Sequence, residues 1–114
     1  MSDIKITKDA ASLLMAAHKR YKKRRAKGEP KQEAVILGDP SNIRQEIMSE
    51  WSLEDIEDAC WELCSAGLFE CLPGDDSLQM VWLTNHGIAY AEDRQAGVLK
   101  TIWDCIKELL AFIP

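Results

Sequence analysis

A run of basic side chains is the first feature of the sequence with a defined chemistry. Between residues 19 and 31, eight positions carry Lys or Arg: Lys19, Arg20, Lys22, Lys23, Arg24, Arg25, Lys27 and Lys31. Such clusters neutralise phosphates, and phosphate contacts supply much of the affinity of proteins for nucleic acids. The same pattern also occurs on helix faces that are simply solvated. These eight residues are the predicted nucleic-acid-binding residues.

Charge is distributed unevenly along the chain. Residues 1–44 have a net charge of +6, and residues 45–114 have a net charge of −11. From Gln45 to Asp93 there is no Lys or Arg, against twelve Asp and Glu. This segregation is compatible with a nucleic-acid footprint on the N-terminal part. It is equally compatible with the basic half of one molecule meeting the acidic half of another.

Patterns typical of catalysis or metal binding are missing from the sequence. There is no Gly-rich phosphate loop, no nucleophile elbow and no His–carboxylate pair at a diagnostic spacing. His18 and His86 have no ligand-spaced companions, and the four cysteines contain no Cys-x-x-Cys pair. We therefore predict no enzyme, no metal, no cofactor and no small-molecule ligand. The cysteines are expected to be small apolar core residues: Cys60, Cys64, Cys71 and Cys105.

Length and hydropathy indicate one globular domain over residues 1–114. Its core is expected at about residues 8–94, followed by a C-terminal helix at about residues 98–113. The first residues lack the apolar core of a signal peptide, and no apolar stretch reaches the length of a spanning helix. The predicted location is therefore cytoplasmic, without a membrane partner.

Local signals predict an α+β order of elements. Caps, glycines and prolines mark the ends, and apolar spacing separates helices from strands. The predicted helices are Thr7–Lys27, Asp39–Glu50, Ser52–Ala66, Asn85–Arg94 and Val98–Phe112, and the predicted strands are Ala34–Leu37, Leu68–Leu72 and Leu78–Leu83. Two helices joined by a short turn around Ser49–Trp51 form a helix-turn-helix.

Two motifs resemble those of winged-helix regulators of bacteria and phages. The segment Leu63–Phe69 is similar to the family's leucine, three residues and Gly-Leu-Ile, and Leu83–Gly87 resembles its Leu-Thr-x-x-Gly after the wing. The resemblance covers about Ile36 to Glu92. The segment Lys100–Glu108 is also similar to the tail of YjcQ-like proteins, winged-helix chains of unknown function. The resemblance implies a winged helix-turn-helix with a small antiparallel sheet and additional C-terminal helices.

The helix that the resemblance assigns to the DNA major groove has the wrong charge for that role. It is Ser52–Ala66, and its polar residues include Glu54, Asp55, Glu57, Asp58 and Glu62. The wing tip, Pro73–Asp76, carries two acids and no Arg. Carboxylates at these positions repel phosphates, so the usual docking of the family is disfavoured here.

Two apolar regions are predicted to meet other surfaces. If Leu83 enters the core, strand alternation turns Met80 and Trp82 outward, where the C-terminal helix around Trp103 or a partner must cover them. Winged-helix regulators often dimerise through appended helices, so the resemblance implies a homodimer through the C-terminal helix. The predicted protein-interface residues are Met80, Trp82, Trp103 and Leu110.

Two hypotheses for the function stay open at this point. In the first, the protein is a non-enzymatic regulator-like module that contacts DNA through its basic first helix, with the acidic Ser52–Ala66 helix turned away. In the second, it is a protein-interaction module of bacterial or phage origin that does not bind DNA and uses its acidic helix and wing.

Overall fold

The architecture is a small three-stranded sheet surrounded by helices. A computed structural model describes residues 5–111 of the chain. Its elements, in chain order, are α1 Lys8–Ala26, α2 Lys31–Ala34, β1 Ile36–Gly38, α3 Pro40–Glu46, α4 Leu53–Ser65, β2 Phe69–Pro73, β3 Leu78–Leu83 and α5 Asn85–Ala111. The predicted succession of helix, strand, two helices and hairpin is confirmed from α1 to β3, with the short helix α2 as an unpredicted addition before β1, and one helix, α5, follows where two were predicted.

Side-chain caps explain where three of the helices begin. The side chain of Thr7 accepts a hydrogen bond from the Ala10 amide, Asp39 from the Asn42 amide, and Ser52 from the Asp55 amide. Each satisfies an amide that has no partner within its helix. These starts were predicted from the sequence and are confirmed.

The sheet lies over a core to which most of the elements contribute. Its strand order is β1-β3-β2, and both pairings are antiparallel. Because side chains alternate along β3, Val81 and Leu83 are buried while Met80 and Trp82 are only half-buried on the opposite face. The largest fully buried side chains in the core include Leu13, Leu14, Leu37, Ile43, Ile56, Leu63, Leu68 and Phe69.

The two motifs that resemble winged-helix proteins meet in space where α5 begins. The Thr84 hydroxyl lies 2.7 Å from the Gly67 carbonyl oxygen and 2.9 Å from the Leu68 carbonyl oxygen, and it accepts a hydrogen bond from the Gly87 amide at 3.0 Å. A Cβ atom on Gly87 would lie only 2.1 Å from the Leu68 carbonyl oxygen. Glycine therefore permits α5 to start directly against the turn that follows α4.

Several predicted boundaries are wrong. The Ala34–Leu37 segment is split, because Ala34 closes the short helix α2 and the strand β1 runs from Ile36 to Gly38. Helix α3 ends at Glu46 and does not reach Glu50. The helical spacing of Leu53, Ile56 and Cys60 predicted that Leu53 belongs to the apolar stripe of α4, but Leu53 is 39% exposed because it occupies the first turn, beyond the edge of the core.

The largest correction concerns the C-terminal region. The predicted helices Asn85–Arg94 and Val98–Phe112 are one continuous helix, α5. No proline or capping residue separates them, and a single glycine at position 97 costs a helix only about 1 kcal/mol relative to alanine. Phe112 itself lies outside the described residues. Every residue from Ala96 to Leu110 is exposed, so this part of α5 extends away from the core.

Candidate nucleic-acid interface

The predicted basic residues lie on α1, on the loop after it and on α2. Lys23, Arg24 and Arg25 occupy the last turn of α1, where their charges favour the negative end of the helix dipole. Gly28, at a φ of 92°, then turns the chain away toward α2. The structure divides the eight residues into two groups with different surroundings.

Arg20 and Arg24 are engaged in the fold. Both guanidinium groups donate a hydrogen bond to the Ile36 carbonyl oxygen, at 2.9 and 3.0 Å. Arg20 also pairs with Glu46, and Arg24 pairs with the Glu29 carboxylate at 2.9 Å. The hydrogen bond from Arg24 holds the pKa of Glu29 below its usual range. These two arginines attach α1 to the edge strand β1 and to α3, a role that the sequence did not indicate.

The other six basic residues are exposed to solvent. Lys22 donates a hydrogen bond to the Gln95 side chain at 3.0 Å, and Arg25 donates one to the Glu29 carbonyl at 3.1 Å. Within residues 5–111, no ion pair involves Lys19, Lys22, Lys23, Arg25, Lys27 or Lys31. Lys19 and Lys23 lie four residues apart on one face of α1, and Lys27, the C-cap residue, continues this face. We call these three residues the lysine ridge.

The acids of α4 and the wing are not neutralised by ion pairs. The two ion pairs of the described residues are Arg20–Glu46 and Arg24–Glu29, neither of which involves α4 or the wing. Glu54, Asp55 and Asp58 are exposed on α4, and Asp75 and Asp76 are exposed at the wing tip. The opposite charge of the two regions, predicted from the sequence, therefore also exists on the surface.

One acid of α4 has a structural role. The Glu62 carboxylate accepts hydrogen bonds from the amide of Thr7 at 2.6 Å and from the hydroxyl of Thr7 at 2.7 Å. These hydrogen bonds hold Thr7, the N-cap residue of α1, against α4. Glu62 is half-buried, unlike Glu54 and Asp58.

The outward face of α4 also carries two apolar side chains. Trp61 is 48% exposed and Leu53 is 39% exposed, beside Glu54 and Asp58 on the same helix. Trp61 was not among the residues predicted from the sequence to form an interface. Its position was nevertheless readable, because it falls outside the apolar stripe formed by Ile56, Ala59, Cys60 and Leu63.

The outer face of the sheet forms an open apolar groove. The groove has a volume of about 380 Å³ and is lined by Gln32, Val35, Ile36, Met80 and Trp82. The indole nitrogen of Trp82 donates a hydrogen bond to Glu70 at 2.8 Å. Of the two covers expected for this face, the C-terminal helix is wrong, because Trp103 is 55% exposed on the extended part of α5, and cover by a partner stays a prediction. Leu110, 57% exposed, lies on the same part.

The cysteines do not all behave as the sequence analysis expected. Cys60 is buried, and burial raises the pKa of its thiol to about 12. Cys64 and Cys71 form a disulfide between the end of α4 and β2, with their Cα atoms 6.3 Å apart, and Cys105 is exposed. The prediction of four apolar core residues is therefore fully confirmed for Cys60 and wrong for Cys105, while Cys64 and Cys71 pack against the core but are bonded to each other. Within the described residues, no group of three or more His, Cys, Asp or Glu side chains is placed to hold a metal ion.

His18 is a buried titratable group between α1 and α5. It is 2% exposed and stacks on Tyr21, and its Nε2 atom has no hydrogen-bond partner among the described residues. Burial lowers the pKa of His18 below 6.5; the charge of Lys22 lowers this pKa further, and Glu92 opposes the shift. The folded protein therefore holds His18 in its neutral form.

This burial predicts a loss of stability in mild acid. Between pH 6.5 and the lowered pKa of the folded state, the unfolded chain binds more protons at His18 than the folded chain does. The free energy of unfolding is therefore expected to fall as the pH drops across this interval, and this component levels off below it. Urea denaturation at a series of pH values measures the slope. His18→Gln should remove this component, whereas His86→Gln, at an exposed site, should retain it. An unchanged slope in His18→Gln would contradict the assignment.

Comparisons with known proteins show the fold. No family model matches the sequence, and no curated protein matches it significantly. A solved structure of a mutant of Lactococcus lactis ZitR is similar, with a TM-score of 0.57 and 18% sequence identity over 96% of this chain. The chain spans 63% of the length of that structure. The similarity confirms the α+β winged-helix fold, while the resemblance to YjcQ-like proteins stays a prediction. Among the described residues, no helix is long and apolar enough to cross a membrane.

Proposed function

We propose that this winged-helix domain is a non-enzymatic, regulator-like module that associates with DNA through α1. The observation that carries the proposal is the lysine ridge, Lys19, Lys23 and Lys27, which is exposed and outside every ion pair of the described residues. Lys22, Arg25 and Lys31 extend the positive surface. When exposed, unpaired lysines contact DNA phosphates, they displace the counterions condensed on the DNA. The release of these counterions gives an affinity that does not depend on base recognition.

The proposed contact differs from the usual docking of a helix-turn-helix. In that mode the second helix of the motif, here α4, enters the major groove. The exposed carboxylates Glu54, Asp55 and Asp58 would then face phosphates with no cation paired to them. Binding through α1 avoids this repulsion, and it predicts little dependence on DNA sequence.

A salt-dependent binding titration tests the proposal. Binding of a random duplex DNA is followed by fluorescence anisotropy across salt concentrations from about 50 to 200 mM, where phosphate contacts weaken steeply. The triple variant Lys19→Gln, Lys23→Gln and Lys27→Gln is expected to reduce the log–log salt slope by about three, since each lost phosphate contact removes about 0.9. Its fold should be unchanged, because within residues 5–111 these three side chains form no hydrogen bond and no ion pair.

A second triple variant provides the control of equal charge change. Lys5, Lys8 and Lys100 are exposed; Lys5 and Lys8 lie at the N-terminal end of α1, opposite the ridge, and Lys100 lies on the extended part of α5. Changing all three to Gln should leave the salt slope close to that of the unmodified protein. The absence of binding at the lowest salt, or equal losses in the two variants, would overturn the proposal.

The exposure of Trp61 favours a second candidate function, a protein-interaction module. Trp is enriched among the residues that contribute most to protein interfaces, and Trp61 stands among uncompensated acids. In this case the domain would bind a basic protein surface through α4 and would not bind DNA. Failure of the DNA titration, together with binding of a Lys-rich peptide that Trp61→Ala abolishes, would support it.

A further inference from the structure

The extended part of α5 exposes a wide apolar face. Between residues 97 and 110, a segment that we call the free half of α5, every residue is exposed. Its large apolar side chains are 39–68% exposed: Val98, Leu99, Ile102, Trp103, Ile106, Leu109 and Leu110. A contiguous face of this kind rarely stays in contact with water in a folded protein.

The face follows a seven-residue repeat. Leu99, Ile102, Ile106 and Leu109 are separated by three, four and three residues, which is the spacing of the a and d positions of a coiled coil. The polar residues Lys100, Thr101, Asp104, Lys107 and Glu108 then occupy the b, c and f positions on the opposite side. The partner that fits such a repeat is another α-helix with the same repeat.

The apolar face is wider than one partner helix can cover. In two-stranded coiled coils the e and g positions usually carry Glu or Lys. Here they carry Val98, Trp103, Cys105 and Leu110, so the face spans about 160° at 3.6 residues per turn, against the narrower a/d seam of a two-stranded coil. A helix in a four-helix bundle has two neighbours and buries such a face.

We infer that the free halves of α5 from four copies of this chain associate as a four-helix bundle. Leu99 at a with Ile102 at d is an order that favours assemblies larger than dimers. Ile106 at a and Leu109 at d have the reverse order, which favours two helices. The a and d positions therefore do not fix the number of helices, and the apolar e and g positions favour four. Tetramers are also the commonest closed assemblies after dimers. This goes beyond the homodimer predicted from the sequence, and it does not depend on DNA binding.

The charges of the free half favour other copies of the chain over a lipid surface. Helices that lie on anionic membranes carry a cationic polar face. The polar face here carries two lysines and two acids, Lys100, Lys107, Asp104 and Glu108, and Lys107 lies 5.7 Å from the ring of Trp103. A face with balanced charge gives no attraction to anionic lipid.

Sedimentation equilibrium and native mass spectrometry test the assembly. The unmodified chain is expected to be a tetramer. The variant Trp103→Gln with Leu110→Gln, which changes only e positions, should give dimers. The variant Leu99→Gln with Ile106→Gln, which changes a positions, should give monomers. Because all four residues lie outside the core, the thermal unfolding of the globular part should persist in both variants.

Controls separate this inference from the proposed function. Lys100→Gln with Glu108→Gln, on the polar side of the same helix, should stay tetrameric, and so should the lysine-ridge triple variant. Measurements are made without nucleic acid, so a failure of DNA binding does not affect them. A monomer or a strict dimer of the unmodified chain would overturn the inference. A monomer that binds vesicles of anionic phospholipid would do so as well.

Discussion

Replacing Gly87 with alanine is expected to lower the free energy of unfolding by about 3 kcal/mol, the upper range for forced overpacking of a closed site. The added Cβ would lie 2.1 Å from the Leu68 carbonyl oxygen and 2.9 Å from a methyl group of Leu83. The Leu68 carbonyl also accepts the Thr84 amide at 3.2 Å, so it cannot move away without losing that bond. Urea denaturation followed by far-UV circular dichroism measures the loss.

Gly97 provides the matched control in the same helix. No atom lies within 4 Å of the position of its added Cβ, and alanine is the better helix former. Gly97→Ala should therefore be neutral or should raise stability by up to about 1 kcal/mol. Helix propensity alone predicts the same gain at both positions, so opposite signs identify the close approach as the cause. Equal stability of the two variants would show that the turn between α4 and β2 shifts to accommodate the added Cβ at little cost in free energy.

The comparison of these two glycines illustrates which parts of the fold are readable from sequence. Helix starts at Thr7, Asp39 and Ser52 were predictable because the capping side chain and the amide that it satisfies are neighbours along the chain. The contact between Gly87 and Leu68 joins residues that are distant in sequence; the two family motifs contain these residues, but they did not predict that the residues touch. Gly97 was interpreted as part of a break between two helices because a local pattern does not show what lies beside a glycine.

The positive charge of the candidate interface was predictable from the sequence, but the contacts that its side chains make with the rest of the fold were not. Composition located the basic region correctly, because net charge needs no knowledge of the fold. Whether an arginine faces solvent depends on where distant acceptors lie, and the Ile36 carbonyl and Glu46 are brought to Arg20 only by folding. The bonded pair Cys64 and Cys71 was missed for the same reason, whereas the exposure of Trp61 was readable from the apolar stripe of α4 and was overlooked.

Arg20 and Arg24 are therefore expected to affect stability, while the lysine ridge affects binding. The double variant Arg20→Ala with Arg24→Ala removes two hydrogen bonds to the Ile36 carbonyl and should lower the free energy of unfolding by about 2 kcal/mol, at roughly 1 kcal/mol per bond. The ion pairs with Glu46 and Glu29 add little, since their side chains are partly exposed. The variant also uncovers the edge of β1, so it should aggregate more readily on heating.

The control for this variant is Lys19→Ala with Lys23→Ala, which removes the same charge from the same helix. Within residues 5–111 neither lysine side chain forms a hydrogen bond or an ion pair, so the unfolding midpoint in urea should not change. DNA affinity at low salt should show the reverse order, with the larger loss in the lysine variant. If the arginine variant were fully stable and lost DNA binding, the two arginines would belong to the interface and the division of the basic cluster into structural and exposed cations would be wrong. Because each variant is measured for both properties, a general loss of positive charge cannot reproduce the expected pattern.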